Sequence, residues 1–330
     1  MATSDGRLKV SATNLEMGID YLIGAKIETE GAITVPARLI ADYINNLSDE
    51  KVELAVEDGV LTLKSKGVES TINGIDATEF PTIPEVTGGK SVTVSASGIK
   101  NIISKVAFAA ALDETRPILS GVLFHFKDPK LSVAATDSYR LAELTMQFEK
   151  SKPEELKVVV PAKALAELGR ITGEAEVTIR TADNQAQFET EDVRLVSRLL
   201  EGEYPDYRGI IPGKLETKAT VSRADFLSKV KAAALFSRDA GLGVRLNFAN
   251  SGKVEVAAEA AQVGDSHATL QGKVDGDDAS VTLNARYLID CLQAQDSELV
   301  TLETSGKLSP CVVRGEKDTE YLYVIMPLRT

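Results

Sequence analysis

The chain of 330 residues has no tryptophan, two histidines and two cysteines, and only 5% of it is aromatic. Two cysteines, Cys291 and Cys311, are too few for a disulfide framework and fit a reducing compartment. His125 and His267 each fall in a strand-like context, so packed or surface histidines are expected rather than metal ligands or bases. No CxxC, HExxH, Walker A or GxGxxG pattern occurs. Asp137, Tyr139 and Arg140 lie close in sequence but have no nucleophile or metal partner. The expectation is a protein with no catalytic residues, metal or cofactor. Long apolar runs are also missing, so no membrane span is expected. Met1 to Leu22 alternates polar and apolar residues, unlike a signal peptide, and a cytoplasmic location follows as an expectation. Basic residues are outnumbered, 37 Lys and Arg against 49 Asp and Glu, for a formal net charge of −12. That balance argues against a simple basic nucleic-acid binder.

What is present is repetition. Between Arg116 and Leu141, Val122, Phe124 and Phe126 alternate with smaller or more polar neighbours, and so do Leu131, Val133 and Ala135. The run Lys127-Asp128-Pro129-Lys130 separates them, which predicts two strands joined by a turn. The second run leads into Ala135-Thr136-Asp137-Ser138-Tyr139-Arg140-Leu141, where Asp and Ser favour a tight turn.

Three helical starts recur at a near-constant period. Val35-Pro36-Ala37, Val160-Pro161-Ala162 and Leu283-Asn284-Ala285 each open an amphipathic stretch, and proline suits a first helical turn. Pro36 recurs after 125 residues and Ala162 after 123. Phe80-Pro81-Thr82-Ile83-Pro84 is answered by Tyr204-Pro205-Asp206-Tyr207 and Ile210-Ile211-Pro212. Val94-Ser95 and Val221-Ser222 lead into further helical spacings. A complete unit reads as two helices and about eight short strands. Gly- and Lys-rich links place the boundaries near 87 and 216, giving units 1–87, 88–215 and 216–330. Ser4 to Val10 matches Lys127 to Val133, so the first unit is expected to lack a counterpart of Val92 to Phe126: one helix and its opening strands.

The repeats, together with ATDSYRLA, EYPDYRGIIP and the terminal YVIMPLRT, resemble the bacterial sliding clamp family, the beta subunit of DNA polymerase III. The resemblance covers essentially the whole chain. It implies an α+β fold of three tandem sliding-clamp domains, the first incomplete, with helices lining a ring and antiparallel sheets outside. It also implies a homodimer that encircles double-stranded DNA without reading sequence. Its partners would be the DNA polymerase III catalytic subunit, the clamp loader and other proteins that carry a clamp-binding motif. The alternative is a clamp-like hub that binds partner peptides without closing a stable ring.

The charge pattern bears on this expectation. Helices expected at 36–47, 96–112, 161–171, 222–238 and 284–295 carry ten basic residues and four acidic ones, against the acidic balance of the chain. A basic inner wall would hold phosphates without sequence readout. The DNA-facing candidates are Lys100, Lys105, Arg116, Lys163 and Arg170, with Arg223, Lys229, Lys231 and Arg238.

By matching motif, the resemblance also implies a groove for short linear peptides. One wall would be Leu119, Thr136, Tyr139, Arg140 and Leu141; Pro205 and Ile210 would add to it, and Val324, Ile325, Met326, Pro327 and Leu328 would complete it. Methionine and branched aliphatics make an adaptable apolar pocket. Leu141 and Val324 could equally seal an interdomain core. The dimer contact is expected around Ile72 in the first unit and Leu235 and Phe236 in the third.

Overall fold

The computed structural model describes residues 1–48, 51–113, 115–127, 130–147, 155–237, 241–260 and 264–329. Within them the three sequence repeats appear as structural repeats. Copy one contributes strands β1 (Ala2–Ser4), β2 (Arg7–Thr13), β3 (Met17–Ile23), β4 (Glu53–Glu57), β5 (Val60–Ser65) and β6 (Val68–Asn73) and helix α1 (Ala37–Asn45). Copy two has eight strands: β7 (Lys90–Val94), β8 (Gly121–Lys127), β9 (Lys130–Thr136), β10 (Arg140–Gln147), β11 (Leu156–Pro161), β12 (Val177–Ala182), β13 (Gln185–Glu189) and β14 (Val193–Arg198). Its helices are α2 (Ala96–Lys105) and α3 (Ala162–Ile171). Copy three has β15 (Thr217–Ser222), β16 (Gly243–Ala249), β17 (Lys253–Ala260), β18 (Gly264–Asp275), β19 (Ala279–Asn284), β20 (Leu299–Thr304), β21 (Cys311–Gly315) and β22 (Tyr321–Ile325). Its helices are α4 (Arg223–Ala234) and α5 (Ala285–Ala294). The count of two helices and eight strands per complete unit is as the periodicity predicts, and the first copy has one helix.

The chain packs as two compact units, and their division falls inside copy two. One comprises Met1–Ala96 with Arg170–Arg198. It contains a seven-stranded antiparallel sheet, β1-β2-β3-β14-β13-β12-β7, and a separate three-stranded sheet, β4-β5-β6. Strands of two copies join in the longer sheet because β14 pairs with β3, Leu195 opposite Ile19. Gly18 sits on this seam for steric reasons: a Cβ there would lie 2.8 Å from Ile83. The short sheet folds over a small core of Ile33, Leu61, Leu63 and Ile72, edged by Ile40, Tyr43 and Val52.

The other unit comprises Ser97–Gly169 with Leu199–Thr330. Its twelve-stranded sheet runs β11-β8-β9-β10-β22-β21-β20-β15-β18-β17-β16-β19. Here the seam is β10 with β22, Leu141 opposite Val324. Helices α4 and α5 cross this sheet side by side, with Phe226, Val230 and Ala233 on one and Leu288, Cys291 and Leu292 on the other fully buried. Each large apolar side chain buried this way contributes roughly 1.5–3 kcal/mol. Both helices start on a side-chain cap: Asn284 Oδ1 accepts from the Arg286 amide at 2.9 Å and the Ser222 hydroxyl from the Asp225 amide. Helices α2 and α3 meet where Gly169 leaves room for Ile103, whose Cδ1 would be 2.9 Å from a Cβ at 169.

Helix α2 ends at Lys105 rather than near 112, followed by a single 3₁₀ turn, Ala107–Ala109. The helical path breaks at Val106, at φ −121 and ψ −49, and beyond the turn the Phe108 carbonyl is taken at 2.8 Å by the Arg140 guanidinium instead of by a helical amide. Helix α4 likewise ends at Ala234, short of the 238 expected.

Candidate partner groove and DNA-facing helices

The turn between β9 and β10 is built by its own side chains. Thr136 Oγ1 donates to the Arg140 carbonyl at 2.6 Å and accepts from the Ser138 amide at 3.0 Å. Asp137 Oδ1 accepts from the amides of Tyr139 at 2.9 Å and Arg140 at 3.0 Å. This folds Ser138 into the left-handed region at φ 77 and pushes Tyr139 outward, 60% exposed. The same device stands one period earlier, between β2 and β3. Thr13 Oγ1 donates to the Met17 carbonyl at 2.8 Å, Asn14 Oδ1 accepts from Glu16 and Met17, and Leu15 has φ 73.

Beneath the β9–β10 turn lies a continuous apolar cluster. Leu119, Leu141 and Val324 are buried in it with Tyr204, Tyr207 and Leu322, and Ile118, Leu200 and Ile211 pack against it. The Tyr204 phenol oxygen accepts the Thr136 amide at 3.1 Å, and burial pushes its pKa up. The Tyr207 hydroxyl donates to Glu143 at 2.7 Å, and burial likewise raises its pKa.

The sequence-derived groove residues therefore divide into two layers. Leu119, Thr136, Arg140, Leu141, Val324 and Ile325 are buried, and of these Leu119, Leu141 and Val324 belong to the apolar cluster that forms the floor. Tyr139, Pro205 and Ile210 are exposed, and Met326, Pro327 and Leu328 are half-buried, so these six are the ones a ligand could touch. The terminal segment is held in place by backbone: the Met326 amide donates to the Tyr139 carbonyl and the Leu328 amide to the Thr282 carbonyl, each at 2.8 Å.

Arg140 corrects the expectation that it is a wall residue. It is 7% exposed and its guanidinium is spent inside the protein. Nε donates to Asp137 at 3.0 Å, Nη1 to Asp290 on α5 at 2.6 Å and Nη2 to the Phe108 carbonyl at 2.8 Å. Its carbon lies 4.5 Å from the Tyr287 ring centroid and 5.5 Å from that of Phe108. Burial acts to lower its pKa, but the Tyr323 phenol, Asp290 and Asp137 raise it on balance, so it stays charged. Sequence reasoning missed Tyr204, Tyr207 and Tyr287. The two tyrosines of EYPDYRGIIP were the available signal.

The basic candidates also divide. Lys100, Arg116, Lys163, Arg170 and Lys231 are exposed. Lys105 is not a DNA-facing group: it is buried, ion-paired to Asp296 at 2.6 Å and 5.7 Å from the Tyr321 ring centroid. Arg223 donates to the Ser297 carbonyl at 3.0 Å and that of Leu292 at 3.3 Å, tying down the end of α5. Lys229 pairs with Asp225 one turn earlier on α4. Arg238 lies outside the described residues. Of the proposed dimer contacts, Leu235 is exposed and Phe236 half-buried, but Ile72 is 5% exposed and belongs to the core of copy one. Its neighbours Val68 and Ile75 are the exposed apolar residues of that edge.

His125 pairs with Glu155, and His267 with Glu255 and Asp265, on the surface. Both thiols are fully buried, and burial raises their pKa, that of Cys311 to about 12. Among the described residues no cluster of His, Cys, Asp and Glu could hold a metal ion, and no helix is long and apolar enough to cross a membrane.

Three repeated copies, two with a pair of helices and the first with one, over antiparallel sheets joined at strand seams define a clamp-type chain. Sequence models of the N-terminal, central and C-terminal domains of the DNA polymerase III beta subunit match residues 1–84, 93–206 and 208–329. The beta sliding clamp of Staphylococcus epidermidis is 30% identical over 97% of this chain and 88% of its own length. That of Staphylococcus aureus is 30% identical over 99% and 87%. Among solved structures, the DNA polymerase sliding clamp of Bacillus subtilis superposes with TM-score 0.92 at 26% identity, covering 100% of this chain and 90% of the other. The beta subunit of Thermotoga maritima gives TM-score 0.92 at 27% identity over the same shares. The chain belongs to the DNA polymerase III beta subunit family, the bacterial sliding clamps.

Proposed function

We propose that this chain is a processivity factor: a head-to-tail homodimeric ring that encircles duplex DNA in the cytoplasm and tethers the DNA polymerase III catalytic subunit. It carries no chemical step of its own and needs no cofactor. A clamp loader would open the ring, and the accessible residues around Tyr139, Ile210 and Met326 would receive short partner peptides.

One observation carries this reading. The last strand of copies two and three joins the third strand of the preceding copy's meander, β14 on β3 and then β22 on β10. Two ends of that series are left over. Strand β6, the last of copy one, is an end strand of its sheet. Strand β18, which closes the meander of copy three, meets β15 only over Gly272–Asp275, so among the described residues Gly264–Gln271 has a partner on one side only, β17. Repeating the same seam between two chains sets β6 of one against β18 of the other. Such a heterologous contact closes into a ring if the rotation closes. DNA in the hole would meet the exposed Lys100, Lys163, Arg170 and Lys231 as phosphate contacts without base readout.

The test is topological. Loaded on a nicked circle, the protein should stay bound in salt that strips it from a linear fragment with free ends, because linkage does not depend on ion pairs. Equal loss from both templates would overturn the ring.

The second reading, a peptide-binding hub without a stable closed ring, draws on copy one. Helix α1 buries none of its residues, and Leu39 and Ile44 are exposed. A monomer that binds partner peptides with full affinity at every concentration tested would support the hub.

A further inference from the structure

The two inner seams share one register. At one end the Leu22 amide donates to the Asp192 carbonyl and the Thr145 amide to that of Glu320, each at 2.8 Å. At the other, Arg198 donates to Glu16 and Met326 to Tyr139. Between these ends, one position sets Asp20 opposite Arg194 and Glu143 opposite Leu322. In the first seam it is an ion pair, and Asp20 also accepts from the Ser11 hydroxyl at 2.6 Å. The same position can be found on the two strands left over. Asp58 and Asp183 share φ 50, and Val60 pairs with Asn73 as Gln185 does with Arg198. Glu69 of β6 therefore stands where β14 has Arg194. Asn284 pairs with Gly243 as Pro161 does with Gly121. Followed outward through the ladders, this sets His267 of β18 where β10 has Glu143 and β3 has Asp20. His267 and Glu69 are both exposed.

We propose that ring closure sets His267 of one chain opposite Glu69 of the other, so that closure responds to pH. The proposal rests on the reading that β6 and β18 are the closing strands. His267 already has two carboxylates beside it: Glu255 of β17 at 3.1 Å and Asp265 of its own strand at 3.4 Å. On β16, Asn247 donates to Glu255 and Arg245 pairs with Glu259. The incoming β6 brings Glu69, paired at 3.1 Å with Lys64 of β5. When His267 is neutral, Glu69 arrives beside two like charges. When His267 is protonated, it meets a cation, and opposite charges across a strand pair stabilise it. Closure therefore takes up a proton, and histidine is the side chain that titrates near neutrality. The closed ring binds more protons than the open chains, so it is tightest at low pH and loosens as pH rises through the histidine range.

Sedimentation equilibrium of the full chain at about pH 6 and about pH 8 reads the dissociation constant of the dimer. It should be at least tenfold tighter at the lower pH. His267→Gln and Glu69→Gln should each remove most of that ratio, whereas His125→Gln, at the histidine paired with Glu155, should keep it. His267→Asp with Glu69→Arg copies the Asp20–Arg194 pair and should dimerise without the ratio. Both side chains are exposed, so these variants keep the fold, checked by circular dichroism. An undiminished ratio in His267→Gln overturns the proposal. So does an exchanged pair that dimerises no better than His267→Asp alone. A cross-link separates the pair from the seam itself. Ser266 and Ser70 fall where Ala142 faces Tyr323, a pair without backbone bonds between its members. Cα atoms in such a pair stand about 4.5 Å apart, within reach of a disulfide. Ser266→Cys with Ser70→Cys should therefore link two chains on oxidation, while Cys291 and Cys311 stay buried. A link together with an undiminished ratio in His267→Gln overturns the pair and leaves the ring; no link overturns both.

Discussion

Arg140 Nη1 and Asp290 Oδ2 meet at 2.6 Å although 150 residues separate them, and this contact ties the first strand of a seam to a helix of the next copy. The same guanidinium holds Asp137, which shapes the turn that presents Tyr139, and the Phe108 carbonyl, which ends the helical region. One side chain thus fixes the turn, the seam and the floor beneath the peptide surface. Arg140→Ala should cost on the order of 3 kcal/mol, because it leaves Asp290 and the Phe108 carbonyl without their donor in a mostly buried place. Arg140→Lys should recover little, since an ammonium cannot reach all three acceptors. Thermal unfolding checks both, and a loss smaller than that of an exposed salt bridge would show that the network is dispensable.

Met326 and Leu328 are half-buried, with backbone amides fixed on Tyr139 and Thr282. Shortening both to alanine removes apolar anchors without disturbing those bonds. A partner peptide with a clamp-binding motif should lose about 2–4 kcal/mol of affinity. The melting temperature should hardly move. Unchanged affinity in a calorimetric titration would remove the groove.

How much of this was legible in the chain depends on which physical signal each residue carries. The helix starts at Pro36, Pro161 and Asn284 and the alternation around Phe124 and Val133 are local, and they located the copies and their strands. Burial is not local. Counting charges on a helix gives no indication that Lys105 faces Asp296 and Tyr321, or that Arg223 caps α5. Arg140 and Ile72 failed in the same way: a polar motif residue and an apolar edge residue both read as surface, and both are inside. The exposed face of α1 was legible only by comparing copies, since its apolar spacing is that of any buried helix.

The division among basic residues makes a contrast that DNA binding can measure. Lys100→Ala with Lys231→Ala should lower loading on nicked circles and flatten its salt dependence, with peptide affinity unchanged. Lys105→Ala should instead lower the melting temperature and leave the salt slope of loading as it was, because its amino group is committed to Asp296. A Lys105 variant that alters the salt slope would return that residue to the DNA-facing wall.

Ring closure is the step in which copy one matters most. Its part of the contact is a three-stranded sheet over a core of four main residues, with α1 contributing none that is fully buried. So thin a support should transmit little stability to an interface at β6. The dimer is therefore expected to dissociate on dilution. Light scattering across a dilution series reads this directly. On the copy-three side Leu235 is the exposed residue after α4 and Phe236 is half-buried. Phe236→Asp would set a carboxylate against the apolar part of the seam and should give monomers at every concentration, and Leu235→Asp the same with less risk to the fold. On the copy-one side Val68→Asp should act alike, whereas Ile72→Asp should unfold the three-stranded sheet, because Ile72 faces Leu61 and Leu63 in the core. If dimers persist undiminished in the Phe236 and Val68 variants, β6 and β18 are not the closing strands, and the seam rule stops at the chain's ends.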